Sequence, residues 1–396
     1  PLQPSLDDAR RLVYPYDHGD QAETGQSDGK QGYLVTNWLL PDTLNQELAL
    51  GLSILAHILI GTPASPLRKA LIDSGLGEDL AGVGLENDLR QMFFSTGMKG
   101  INCQPGSTDF ERVEALILEQ LGRLAAEGID PETIAASLNT VEFRLRENNT
   151  GAFPRGLLLM LRSLTTWLYD GDPTAPLAFE APLQAIKTSL AGGEAFFENL
   201  IQRYLLENQN RSTIILQPEA GLRKRQEQAE TEKLAAIRSR MTSEQIEQVV
   251  KNTRLLKARQ ETPDTPEALA TIPGLKLEDL DRQNKLIPIE VNQYLGAEIL
   301  FHDLFTNGIT YLDLGLNLHL LPPEDLPFAS LFGRALLEMG TYQEDFVHLT
   351  QRIGRSTGGI RPVFTSIARP GQDQDAAWLF LRGKATLAQS AELLSI

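Results

Sequence analysis

The chain is 396 residues long, 42% apolar and 22% charged, with a formal net charge of -16. That length predicts two to three domains with sizeable cores, and the composition is that of a soluble globular protein. The acidic balance argues against a nucleic-acid binder, and no apolar run is long enough to predict a membrane span. Residues 1–10 lack the basic start and apolar run of a secretory signal. A first residue that is Pro1 rather than Met predicts a processed product or a piece of a longer chain. Cys103 is the sole cysteine. An intramolecular disulfide and a Cys-based zinc knuckle are both excluded, and a reducing compartment is favoured.

Residues 1–26 are polar and turn-rich, with Asp17-His18-Gly19-Asp20, and read as an extended lead-in. The aromatic and β-branched run from Gly32 to Leu40 predicts a strand, stopped by Pro41. Asp42 is the expected cap of a helix reaching Ile60, and Ser65-Pro66 opens a shorter one to Ser74. Met92 to Cys103 reads as strand. Thr108 and Glu111 have capping-box spacing, and Phe110, Val113, Ile117, Leu121 and Leu124 mark one helix face. Gly128 ends that helix. Asp130 and Pro131 begin the next, whose buried stripe is Ile134, Leu138, Val141 and Leu145. Helices are expected over 155–169 and 193–206, and a strand from Arg211 to Leu216.

Between Arg223 and Arg259, ten Lys or Arg stand against five Asp or Glu, which leaves the remainder near -21. Two helices are expected there, 221–240 and 243–260, packed as a hairpin, with a capping box at Thr242 and Gln245. Pro263, Pro266 and Pro273 mark a linker. Thr306-Asn307-Gly308 reads as a hairpin turn. A strand to Leu321, helices near 324–339 and 343–354, and strands near 361–368 and 376–382 follow. The chain stops at Ile396 within another expected helix.

Leu39-Leu40-Pro41 recurs as Leu320-Leu321-Pro322, an offset of 281 residues. At that offset Ile72 meets Ile353 and Gly77 meets Gly358. Residues 32–105 and 313–386 are therefore expected to form equivalent strand–helix–helix–strand units, the mark of a duplication.

The search for local chemistry finds no catalytic, cofactor-binding or metal-binding residue. The histidines are His18, His57, His302, His319 and His348. A helical zinc motif needs two imidazoles four residues apart, and none of these has such a partner. His57 sits in an apolar helix and reads as a satisfied core histidine. Cys103 reads as a packing residue. Gly354-Arg355-Ser356-Thr357-Gly358-Gly359 lacks the lysine and spacing of a phosphate loop and reads as a turn. Glu142, Arg144, Arg146 and Glu147 read as a solvated face with an ion pair from Glu142 to Arg146.

Several segments nevertheless share a likeness. These are Ser65-Pro66-Leu67-Arg68-Lys69-Ala70-Leu71-Ile72-Asp73-Ser74-Gly75-Leu76-Gly77, Val141-Glu142-Phe143-Arg144-Leu145-Arg146-Glu147, Phe153-Pro154-Arg155-Gly156-Leu157, Trp167-Leu168-Tyr169-Asp170-Gly171-Asp172-Pro173 and Thr357-Gly358-Gly359-Ile360. Together they resemble the presequence-protease branch of the pitrilysin and insulinase-like zinc metallopeptidases, from Gly32 to the end. The resemblance implies an α+β fold of tandem homologous domains, mainly antiparallel sheet with packed helices, joined by a long helical hairpin. It implies a lead-in at 1–26, the family's second domain at 27–218, the hairpin at 219–285 and a third, truncated domain from 286 to 396. The zinc and its His-x-x-Glu-His motif would lie in a first domain outside this chain, and a fourth domain would also be missing. The zinc would be a cofactor of the parent, where it polarises the scissile carbonyl and activates water; none is expected on this segment, which is expected to be inactive alone. Partners implied are unfolded, cationic peptides, including cleaved targeting sequences, and the missing domains. The implied place is the bacterial cytoplasm or an organelle matrix or stroma. The other reading is a non-catalytic scaffold or peptide-binding protein of the same superfamily.

Overall fold

From Gln31 to Leu40 burial alternates strictly, with Gly32, Leu34, Thr36, Trp38 and Leu40 buried and the residues between them half-buried. A period of two is the signature of a strand with one face against a core. The computed structural model describes residues 2–17, 30–148, 151, 153–284, 286–306, 308–371 and 375–396. In chain order it has β1 (Arg10–Tyr16), β2 (Lys30–Asp42), α1 (Gln46–Ile60), α2 (Pro66–Asp73), β3 (Asp79–Glu86), β4 (Gln91–Asn102), α3 (Asp109–Glu127), α4 (Pro131–Glu147), α5 (Arg155–Trp167), α6 (Glu180–Ala191), α7 (Phe196–Ile201) and β5 (Arg211–Pro218). There follow α8 (Leu222–Arg240), α9 (Ser243–Glu261), α10 (Pro266–Leu269), β6 (Glu290–Tyr294), β7 (Ala297–Phe301), β8 (Ile309–Asn317), α11 (Ala329–Glu338), α12 (Phe346–Ser356), β9 (Ile360–Ile367), β10 (Ala376–Thr386) and α13 (Ser390–Ser395). The fold class is α+β, with mainly antiparallel sheets and packed helices.

Pro1–Ala220 and Asn307–Ile396 form one compact unit, and Gly221–Thr306 a second. The first unit holds a five-stranded sheet in the order β1-β5-β2-β4-β3 and a three-stranded sheet in the order β8-β10-β9. All pairings are antiparallel except β1 with β5. Two facing pairs, Trp38 with Phe94 and Leu34 with Met98, are fully or almost fully buried under the helices. The indole Nε1–H of Trp38 donates to the Leu205 carbonyl at 2.7 Å, so the largest core side chain leaves no unpaired donor. Each such apolar burial contributes roughly 1.5–3 kcal/mol.

The duplication is visible in topology. The order β2-α1-α2-β3-β4 recurs as β8-α11-α12-β9-β10, and in both the last strand is central. β9 occupies the residues 281 after β3. The tripeptide that suggested the offset is not equivalent, however. Leu40 is a strand residue, whereas Leu321 follows the 3-10 turn Leu318–Leu320. The second copy leaves its strand at Asn317, whose side chain accepts from the His319 N–H and turns the chain early.

Other expectations are corrected. Part of the lead-in is strand β1, which pairs with β5 from Arg10 to Tyr16; His18 lies outside the described residues. Helix α1 is capped by Asn45, whose side chain accepts from Leu48 N, while Asp42 ends β2. Thr108 makes no capping bond. Glu111 instead pairs with Arg11 of β1. Residues 354–356 of the glycine-rich segment are the end of α12, not a turn. In the second unit, the capping box of Thr242 and Gln245 is present and α8 and α9 have nearly the expected limits, but no residue of either helix is buried, so they are not a packed pair. The hairpin there joins β6 to β7 through Leu295 and Gly296, both at positive φ. Thr306 and Gly308 do not join paired strands, since β7 pairs with β6 and β8 with β10; Asn307 lies outside the described residues.

One close approach can be tested. A Cβ on Gly97 would land on the carbonyl oxygen of Leu34 in the neighbouring strand, whereas one on Gly122 of α3 would meet nothing within 4 Å. Gly97→Ala should cost about 3 kcal/mol or more in urea unfolding. Gly122→Ala should instead stabilise by about 0.5–1 kcal/mol. Equal effects at the two positions would refute this account of the sheet.

Candidate functional site

Helix α4 is the element on which the two repeats meet. Pro131 sits in its first turn, the Asp130 side chain accepts from Thr133 N, and Asn148 closes it in the left-handed conformation. Its residues Ala136, Asn139, Phe143 and Glu147 recur at spacings of three and four, so they share one face. That face meets α12 and β10. A Cβ on Gly354 would stand 3.1 Å from that of Ala136, so small residues let the helices come close. The Asn139 amide donates to the carbonyls of Gly354 at 2.7 Å and Thr357 at 2.9 Å. These carbonyls sit at the end of α12, where helix geometry supplies no partner. At Gly358 a Cβ would lie 2.5 Å from Phe143 Cζ, so any side chain there would displace the ring. The Gly358 N–H also donates to the Lys384 carbonyl at 2.7 Å.

Beyond the ring lies an ion pair. The Lys384 ammonium stands over Phe143, 5.2 Å from its centroid, and bonds the Glu147 carboxylate. The Glu147 side chain is 6% exposed and that of Lys384 26%. The Tyr311 hydroxyl donates to the other Glu147 oxygen at 2.8 Å. Partial burial, then the Glu147 carboxylate, push the Tyr311 phenol up to about 12. Glu147 is therefore not part of a solvated face. The expected pair of Glu142 with Arg146 is present at 2.7 Å, and Lys187 of α6 joins it. At the rim, Gln351 donates to Asp130 and Thr133, each at 2.8 Å, and Arg355 pairs with Glu132 at 2.8 Å.

The opposite side of α4 holds His57 of α1, whose Nδ1 lies 3.0 Å from Ser137 Oγ. Burial, then the charge of Arg144, push this imidazole down from its ordinary value to about 4. It is neutral at pH 7 and is satisfied by Ser137. The other described histidines lie apart: His302 with the Pro288 carbonyl, His319 with Asp375, and His348 with Asp345. Cys103 is half-buried against the core. Among the described residues no three His, Cys, Asp or Glu side chains gather as a metal site would require. They do not make the donor set of a zinc ion.

Two family models match the chain: the peptidase M16 inactive domain over residues 4–141, and the region associated with subfamily C of the M16 peptidases over residues 216–396. The chain is similar to presequence protease 1 (chloroplastic/mitochondrial) of Arabidopsis thaliana, at 42% identity over 98% of this chain and 35% of that protein. This chain belongs to the M16 peptidase family. M16 peptidases are zinc metallopeptidases of the pitrilysin and insulinase-like group. Protein HypA of Clostridium perfringens is 36% identical over 83% of the chain and 33% of its own length. The mitochondrial presequence protease of Xenopus laevis is 27% identical over 84% and 31%. This M16 chain thus spans about a third of the length of these relatives. No helix among the described residues is long and apolar enough to cross a membrane.

Two measurements check the site. The unfolded chain takes up a proton on a histidine near pH ~6.5, whereas folded His57 does so only at about 4. Stability should therefore fall as pH drops through that window, with a loss from this group of up to about 3 kcal/mol. His57→Gln should remove about 2 kcal/mol of the fall measured by urea unfolding between about pH 7 and 4.5; an unchanged slope would place the effect elsewhere. For the seam, Lys384→Met leaves Glu147 buried without its cation and should cost about 3 kcal/mol. A double-mutant cycle with Glu147→Gln should give a coupling of about 1–3 kcal/mol. Additive losses would deny the pair.

Proposed function

We propose that this chain is the non-catalytic portion of a zinc metalloendopeptidase that degrades unfolded peptides, with residues 27–218 as its second domain, 219–285 as the helical connector and 286–396 as the start of its third domain. The observation that carries the reading is the coincidence of two M16 matches, one of them to an inactive domain, with a duplicated β-α-α-β-β unit. In this reading the two repeats are walls of a peptide chamber, the connector is its hinge, and zinc is held by residues outside the described part of this chain.

The wall can be assigned to a face. Since Leu34, Thr36 and Trp38 point to the helices, Tyr33, Val35, Asn37 and Leu39 point away from them. Pairing register adds Leu12 and Tyr14 from β1 and Ile214 and Leu216 from β5. This face is apolar and carries few charges, which suits extended segments of unfolded peptides. The relatives named presequence proteases point to cleaved targeting peptides as the substrate class. Such peptides are basic, and a remainder near -21 outside the Arg223–Arg259 segment raises their local concentration.

The test uses the full-length parent and two unfolded peptides of equal length, one basic and one neutral. Val35→Glu and Leu216→Glu should lower kcat/KM for both about tenfold, equivalent to about 1.4 kcal/mol, with thermal unfolding unchanged. The advantage of the basic peptide should shrink as salt rises, because the Debye length is only ~8 Å at physiological ionic strength. Cleavage insensitive to both substitutions would refute the wall. A parent that binds these peptides and cleaves neither, with or without added zinc, would instead be a scaffold.

A further inference from the structure

The apolar core of the first unit stops at α4. The connected cluster of buried residues runs from Leu34 to Ile215 and contains no residue of the second repeat. The second repeat buries a smaller set of its own, including Ile309, Ala329, Leu349, Leu379 and Ala385. What crosses between them is polar: the Asn139 amide, the Gln351 amide, the Arg355–Glu132 pair and the Lys384–Glu147–Tyr311 group. The apolar contribution is small, namely Phe143 against Gly358 and Ala136 against Gly354.

A seam of this kind differs from a core. Its hydrogen bonds exchange for bonds to water on opening, so each contributes only about 0.5–1.5 kcal/mol net. The attraction of a buried ion pair is largely offset by the hydration its members regain when parted. Interfaces between domains that are polar and modest in size are those along which bodies move. The covalent route between the repeats is also long, since the whole second unit, Gly221–Thr306, lies between them in sequence.

We propose that the seam between α4 and α12–β10 is a releasable clasp between the two repeats, with the Glu147–Lys384 pair as its pin and Gly358 against Phe143 as its socket. The pin holds only when Lys384 lies over the Phe143 ring, and the ring lies there only while residue 358 has no side chain. The two parts are therefore engaged or released together. The inference rests on the geometry of this chain and not on the peptidase reading. If that reading is also right, the clasp is one of the contacts that keep the chamber shut.

Pulsed dipolar spectroscopy tests it on the whole chain. Cys103→Ser removes the native thiol, and spin labels are placed on the exposed positions of Glu119→Cys in α3 and Arg334→Cys in α11. The parent should give one narrow distance. Lys384→Met and Gly358→Leu should each lengthen it and roughly double the width of the distribution, as expected when a second state becomes populated. Gly358→Ala should do the same, and adding Phe143→Ala should restore the narrow distance by making room for the new methyl. Far-UV circular dichroism should stay constant throughout. Distances unchanged in Lys384→Met and Gly358→Leu would overturn the proposal. So would global unfolding of these variants, because a clasp can be released without melting what it joins. Neither outcome bears on peptidase activity, which this measurement does not read.

Discussion

Helix α4 has to satisfy two surroundings at once, and the rest of the first unit is arranged around that demand. Along one stripe, Val141 is buried and Ile134, Leu138 and Leu145 pack against the large core. Along another, Ala136, Asn139, Phe143 and Glu147 meet the second repeat. A helix with one apolar stripe would leave α12 and β10 facing solvent on that side. A helix apolar all round would fuse the two repeats into a single core. The mixture of one amide, one ring and one carboxylate specifies a defined docking without shared hydrophobic burial. The same helix also places Ser137 beside His57, so a core imidazole stays neutral with a polar partner.

Much of the fold was legible because it is local. The helical faces of α3 and α4, the Asp130 cap and the Thr242 box follow from spacing alone, and each is present. The strands that escaped notice depend on distant partners. β1 is an edge strand whose partner β5 lies about 200 residues later, and its side chains are largely exposed, so no core pattern marks it. β3 carries Gly82 and Gly84 at positive φ and a register shift, which break the alternation a reader would look for. The offset of 281 was right in topology and wrong in its tripeptide. A duplicated fold keeps the order and pairing of its elements under selection for packing, whereas three residues at a strand end are free to drift.

The seam was half legible. The segments Val141–Glu147 and Thr357–Ile360 both stood out in the sequence, but nothing in either says that they touch. Glu147 resembles any surface glutamate until Lys384 and Tyr311 are brought to it by the pairing of β8 with β10. Gly358 resembles any glycine after a helix until Phe143 fills the space where its side chain would be. Contacts between residues more than 200 positions apart leave no trace in local periodicity. Only the coordinates turn two separate motifs into one site.

The exposed connector gives the seam its thermodynamic setting. Helices α8 and α9 bury no residue, and local pairs such as Arg223 with Glu227 and Gln248 with Asn252 brace them. Their role toward the seam is therefore one of continuity. By tying the two repeats into one molecule, the connector makes closure a unimolecular event. Tethered partners meet at effective concentrations that reach the millimolar range for short flexible links and fall as the link lengthens. Two surfaces that would scarcely associate as separate proteins can then remain mostly joined, and their association no longer depends on dilution. An interface built from a few polar bonds and one ring is weak as a bimolecular complex; within a single chain it is strong enough to close and weak enough to open.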